Sequence, residues 1–153
     1  MHKQRIYLDT SVIGGCFDKE FEKFSKLLFE TFFKGEKIAV FSIVTIDEVN
    51  RGPKKLKDLL DSIPEEFIEI VEITEDVIQL AESYVRYKVL TRKYYDDALH
   101  IAVSSISNID ALVSWNFKHI VNLQRIHAYN AINQLMGYKS VEIRSPKEVL
   151  SYE

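Results

Sequence analysis

Short apolar runs alternate along this chain with longer stretches of helical period. Arg5-Ile-Tyr-Leu-Asp9 is a strand-like run that ends in an acid. Between residues 21 and 33 the apolar positions Phe21, Phe24, Leu27, Leu28, Thr31 and Phe32 recur three and four apart. That spacing predicts an amphipathic helix, stopped by Gly35. Ile38-Ala-Val-Phe41 reads as a second buried strand, and Ser42 suits the N-cap of a helix reaching Asn50, broken by Gly52-Pro53. A short helix is expected over 54–63. An alternating strand follows over 67–72, then a helix opened by Thr74 and Glu75 with Val77, Leu80, Ala81, Tyr84 and Val85 on one face. Residues 94–106 are helical and apolar on most sides, which predicts a central helix. A strand at 111–114, a helix over 121–136 and a last strand at 141–144 complete the pattern, with Ser145-Pro146 opening a final helical turn.

Five strands alternating with helices predict an α/β fold, a parallel sheet covered on both faces. In such sheets the functional crevice lies beyond the carboxyl ends of the strands, where the strand order reverses. An acid with a chemical role should therefore end a strand or sit on the adjoining helical turn.

Asp9 meets that condition by closing the first strand, although an Asp there also suits a helix cap. Glu48 lies two turns beyond the second strand, beside Val44 and Thr45. Ile43, Ile46 and Val49 are expected to form the inward stripe of that helix, and Asp47 is not excluded by periodicity. Asp96 and Asp97 open the central helix, whose deepest face is expected at Leu99, Ala102, Val103 and Ile106. The helix dipole favours an acid there, but gives no reason for two ahead of a buried helix. Asn116 follows the fourth strand in Leu112-Val-Ser-Trp-Asn116, where it could also hold the loop. Three carboxylates and an amide around one crevice would repel without a counter-charge. A hard divalent cation, Mg²⁺ or Mn²⁺, resolves this with oxygen ligands.

Composition narrows the setting. The 153 residues predict one domain, 1–153, long enough to fold without disulfide or structural metal. With 46% apolar and 28% charged residues, the chain has the balance of a globule and not of a disordered segment. No apolar run approaches the roughly 18 residues of a membrane span, and the start lacks a signal-peptide core. The single cysteine, Cys16, points to the reducing cytoplasm. The net charge of −3 argues against a protein coating nucleic acid by bulk attraction. That charge is uneven: residues 1–76 carry 16 acids and 11 bases, and residues 77–153 carry 7 acids and 9 bases.

The segments Tyr7-Leu-Asp9-Thr-Ser, the Glu48 helix, Asp97-Ala-Leu-His-Ile-Ala102 and Asp110-Ala-Leu-Val-Ser-Trp-Asn116 together resemble PIN-domain ribonucleases over nearly the whole chain. Within that family they are most similar to the toxin-type, VapC-like members of type II toxin–antitoxin modules. The resemblance implies a three-layer α/β/α sandwich and Asp9, Glu48, Asp97 and Asn116 as catalytic, metal-holding residues. It further implies Mg²⁺ or Mn²⁺, RNA as substrate, an antitoxin partner and a homodimer. The fourth position is usually Asp in the family; Asn116 brings no charge and bears on whether a second ion is held. A catalytically weak or inactive PIN-fold module that binds RNA or protein is the rival reading. A phosphotransfer hydrolase of the Asp-x-Asp type fails on Ser11 in the second acidic place, and a receiver domain fails because Asp76 and Lys147 do not fall where it needs them.

Other polar residues are assigned with these. His100 is expected to be a hydrogen-bonded structural histidine, and Asp110 a structural acid. Thr10 and Ser11 are candidates for orienting water or substrate, and Arg92, Lys93, Lys118 and His119 for holding phosphate. Arg86, Lys88, Arg92 and Lys93, interleaved with Tyr84, Tyr87, Tyr94 and Tyr95, make a basic–aromatic stretch suited to single-stranded RNA.

Overall fold

A computed structural model describes residues 2–150. The strands are β1 (Arg5–Leu8), β2 (Ile38–Ser42), β3 (Ile68–Val71), β4 (Ala111–Val113) and β5 (Ile143–Arg144). They form one parallel sheet in the order β3-β2-β1-β4-β5. Eight α-helices accompany it among the described residues. They are α1 (Thr10–Gly15), α2 (Glu22–Phe33), α3 (Ile43–Arg51), α4 (Lys54–Asp61), α5 (Glu75–Arg86), α6 (Tyr95–Ile106), α7 (Leu123–Leu135) and α8 (Pro146–Leu150).

Successive strand side chains point to opposite faces, and the core divides accordingly. Ile6, Leu8, Ala39, Phe41, Ala111 and Val113 meet Leu28, Phe29 and Phe32 of α2 and Leu56 and Leu60 of α4. On the other face Tyr7, Val40, Leu112 and Ile143 meet Leu80 and Tyr84 of α5, Ile101 of α6, and Tyr129 and Ile132 of α7. The result is the three-layer α/β/α sandwich that the alternation predicts. Among the described residues no helix is long and apolar enough to cross a membrane.

Two helices present different faces from those expected. On α2, Leu27 is exposed while Ser25 and Phe29 are buried, because Ser25 turns inward to accept a hydrogen bond from Trp115 Nε1 at 2.8 Å. On α3, Ile43 is half exposed, and Val44, Thr45 and Val49 face in. The Ser42 hydroxyl accepts from Val44 N–H and lies 2.8 Å from the Tyr7 hydroxyl. This fixes the rotation at which the helix leaves the sheet. The last strand shrinks to two residues at the sheet edge, where only β4 pairs with it.

The chain builds β1, β2 and β3 outward in one direction, then returns to lay β4 and β5 on the other side of β1. The order reverses between β1 and β4, whose last residues Leu8 and Val113 are paired. Asp9 and Ser114 therefore leave the sheet side by side, at the place where α/β folds form their crevices.

Candidate active site

Asp9 occupies the N-cap position of α1 but makes no capping hydrogen bond with its side chain. Its buried carboxylate turns the other way. Oδ1 accepts from Ser11 Oγ and Oδ2 from Ser114 Oγ, both at 2.6 Å. Each serine hydroxyl is itself aimed by a backbone donor: Trp115 N–H onto Ser11 and Asn116 N–H onto Ser114, each at 2.9 Å. The turn after β4 thus clamps the acid that ends β1. Gly15 lets the turn come this close, since a Cβ there would lie 2.5 Å from Ser25 Oγ and 2.8 Å from Trp115 Nε1.

Glu48 reaches the same place from α3. Its Oε1 accepts from Thr10 Oγ1 at 2.9 Å and meets His100 Nε2 at 2.7 Å. His100 is buried on α6, with Nδ1 2.7 Å from the Tyr7 hydroxyl. It is the hydrogen-bonded structural histidine that its position on a buried helix suggests. Asp47 is exposed and takes no part in this group.

Asp97 enters from the first turn of α6. Its Oδ2 accepts from Asn116 Nδ2 at 3.2 Å. Asn116 Oδ1, the oxygen expected to face a metal, instead accepts from the backbone N–H groups of Lys118 and His119 at 3.2 and 3.0 Å. The amide stabilises the loop with one end and holds Asp97 with the other. Asp96 faces outward, 3.7 Å from Arg51. Asp110 accepts from Arg5 N–H at 2.7 Å and meets His2, away from the crevice and in a structural role.

The three carboxylates feel one another. Burial pushes Asp9 upward, against the pull of His100 and the two serine bonds. Asp97 is raised to about 6, by burial first and then by the charges of Asp9, Glu48 and Asp96. Burial works on Glu48 in the same direction, but the His100 hydrogen bond and charge, with Thr10, hold it below the usual carboxylate range. His100 is correspondingly raised well above its ordinary value: burial opposes the charge, but Tyr7, Glu48 and Asp9 outweigh it. One imidazole nitrogen faces Glu48 and the other the Tyr7 hydroxyl. One histidine against three acids leaves the group short of positive charge.

Among the described residues, no three His, Cys, Asp or Glu side chains form a ready-made metal cage. The donor set is nevertheless all oxygen, gathered in one partly buried place and electrostatically unfavourable by itself. That chemistry fits a hard divalent ion.

The remaining expected residues separate. Thr10 and Ser11 are bound to the carboxylates themselves. Arg92 is engaged by Glu82 through both terminal nitrogens, at 3.1 and 2.6 Å, and Lys93 lies over the Tyr94 ring. The basic–aromatic stretch is therefore not one surface: Tyr84 is wholly buried and donates its hydroxyl to Asn133. Lys118 is exposed and His119 is buried against Tyr94. Sequence reasoning missed Ser114 and Tyr7. Only Ser114 carried a signal, since it sits in the turn that ends with Asn116.

Comparison with known proteins matches residues 6–118 to the PIN domain family. The chain belongs to the PIN domain family. Among curated proteins none matches it. The fold is similar to that of VapBC2 from Rickettsia felis, solved bound to a DNA fragment from its promoter. That likeness has 14% identity and a TM-score of 0.58, covering 93% of this chain and 98% of the other. It is also similar to VapC20 of Mycobacterium tuberculosis, a sarcin–ricin loop cleaving toxin, at 18% identity, TM-score 0.56, and 90% and 98% coverage. A toxin–antitoxin complex from Klebsiella pneumoniae resembles it at 19% identity, TM-score 0.56, and 74% and 88% coverage. These likenesses bear on the PIN fold alone.

Proposed function

We propose that this PIN-domain protein is a metal-dependent endoribonuclease that hydrolyses RNA phosphodiester bonds, acting in the cytoplasm as the toxin of a type II toxin–antitoxin module. The observation that carries the reading is the meeting of Asp9, Glu48 and Asp97 at the strand-order reversal, each held by its own donors. Its biological setting is supported by the PIN family match and by similar folds among toxin–antitoxin complexes. A small antitoxin and a second copy of the chain are its proposed partners.

Asp9, Glu48 and Asp97 would hold Mg²⁺ or Mn²⁺. A bound divalent ion supplies an activated water at neutral pH and neutralises charge gathering on the phosphate. The chain's own part is orientation. Ser11 and Ser114 fix the plane of the Asp9 carboxylate, as second-shell donors do around metal ligands. His100 keeps Glu48 ionised and aimed. Asn116 holds Asp97 as a positioning residue, not as a ligand in its present orientation.

Purified protein should cut single-stranded RNA with Mg²⁺ or Mn²⁺, stop on addition of EDTA, and lose activity in Asp9→Asn and in Asp97→Asn. Gel analysis of end-labelled RNA checks this. Cleavage surviving both substitutions would overturn the site. RNA affinity without products in any metal would favour the rival binding-module reading.

A further inference from the structure

A cavity of about 490 Å³ opens between the segment after α5 and the loop after β4, within the roughly 300–1,000 Å³ typical of small-molecule sites. Its apolar side is Val85, Val89 and Leu90. Lys88, Lys118 and Arg125 line it as well, and no acid does. Arg125 donates to the Val89 carbonyl, so this cation is fixed in the wall. Lys88 has a left-handed backbone with φ of 62°, which turns the chain from α5 into the rim.

His119 decides what the cavity suits. Its ring lies against Tyr94, with centroids 3.9 Å apart and planes tilted by 33°. The residue is only 7% exposed, yet Nδ1 is buried with no hydrogen-bond partner among the described residues. That nitrogen is closed to the cavity, so the Tyr94–His119 pair stands there as an aromatic wall. Apolar and aromatic walls rimmed with cations, with no acid among them, match a nucleobase joined to phosphate and not a purely apolar guest.

The cavity also adjoins the carboxylates. Asn116 connects the two through its bonds to Asp97 and to the N–H groups of Lys118 and His119. Tyr94 stands three residues before Asp97.

We propose that this cavity is a nucleotide subsite that takes one base of a single-stranded RNA beside the bond to be cut, with Tyr94 and His119 as its aromatic wall and Lys118 and Arg125 holding its phosphate. The adjacency to a cleaved bond rests on the ribonuclease reading; occupation by a nucleotide does not. Binding is therefore measured in EDTA, on the full chain, where no cleavage is needed.

Backbone amide NMR shifts are followed while AMP, CMP, GMP, UMP or inorganic phosphate is added. At least one nucleotide should saturate shifts at residues 88–91 and 117–120 at a concentration about tenfold below that for phosphate. Thr91→Trp, which fills the cavity from its exposed rim, should weaken the nucleotide by about tenfold or more. Should that variant not fold, the exposed Lys118→Ala should still weaken it measurably while the remainder of the amide spectrum stays in place. Equal affinity for phosphate would overturn the subsite in favour of a plain anion patch. Absence of saturable shifts at these residues would overturn it as well. An acidic peptide producing these shifts where nucleotides do not would assign the cavity to a protein partner. Nucleotide binding here, with no metal-dependent cleavage of RNA, would leave the subsite standing and overturn the ribonuclease reading.

Discussion

Asn116 shows how one side chain can answer two expectations at once. Its oxygen accepts from the loop N–H groups, and its NH₂ donates to Asp97, whose proton affinity is already raised. Replacing it with Asp keeps the loop acceptor but turns the donor into a fourth negative charge beside Asp97. Without metal, Asn116→Asp should lose the Asp97 bond and add repulsion, at about 1–3 kcal/mol for an unmet buried hydrogen bond. That corresponds to a fall in melting temperature of roughly 2–4 °C per kcal/mol at this size. Added Mg²⁺ should recover most of the loss, because a cation binds the folded carboxylates and not the unfolded chain. Thermal unfolding in EDTA and in Mg²⁺ measures both. An equal loss in the two conditions would show that the substitution acts on the loop alone.

At the level of elements, Arg5 ties the sheet to its surroundings. Its guanidinium passes across β2 to Glu69 of the edge strand β3, and also donates to the carbonyls of Ser107 and Asn108 beyond α6. The Arg5 hydrogen bond is the chief cause that lowers Glu69 below its ordinary 4.5. A lowered carboxylate stabilises the fold above the unfolded value, and this is lost as pH falls through the folded one. Glu69→Gln should therefore be less stable than the parent at pH 7, by less than about 1 kcal/mol because the pair is partly exposed. The gap should close as pH falls below 4.5, the ordinary carboxylate value; urea unfolding at several pH values follows it. A gap that widened in acid would remove Arg5 as its cause. The same scale shows what the sequence makes legible. Continuous apolar runs locate β1, β2 and β4, which are buried on both faces, and alternation locates the half-exposed β3. Helix rotation is less legible: Ile43 looks inward by period, but Ser42 and Tyr7 set where α3 begins. Asp9, Glu48 and Asp97 stand out by following strands or opening a helix. Tyr7 does not, because its importance comes from a partner 93 residues away in sequence.

Across the whole molecule, charge is sorted by place more than by amount. The net −3 conceals an acid-rich first half and a mildly basic second half. Asp9, Glu48 and Asp97 concentrate negative charge at the strand ends, while Lys88, Lys118 and Arg125 line the neighbouring cavity. His119 adds no charge at neutral pH, since burial and the two nearby cations lower it. RNA held there in EDTA would thus meet about three cations and a nearby negative group. Counterion release from single strands gives a slope of about −0.7 per neutralised phosphate, so log affinity against log salt should fall with a slope of roughly −2. Fluorescence anisotropy of a labelled RNA between about 50 and 200 mM salt measures it. A slope several units steeper would mean that RNA spreads over a broad basic surface, which the acidic total does not supply. Lys118→Ala should make the slope shallower by about one unit at most, whereas Lys54→Ala on α4 should leave it unchanged. Equal effects at the two lysines would remove the cavity as the main point of contact. A weakly acidic chain would accordingly bind RNA at one place without coating it, because the cations lining that place are few.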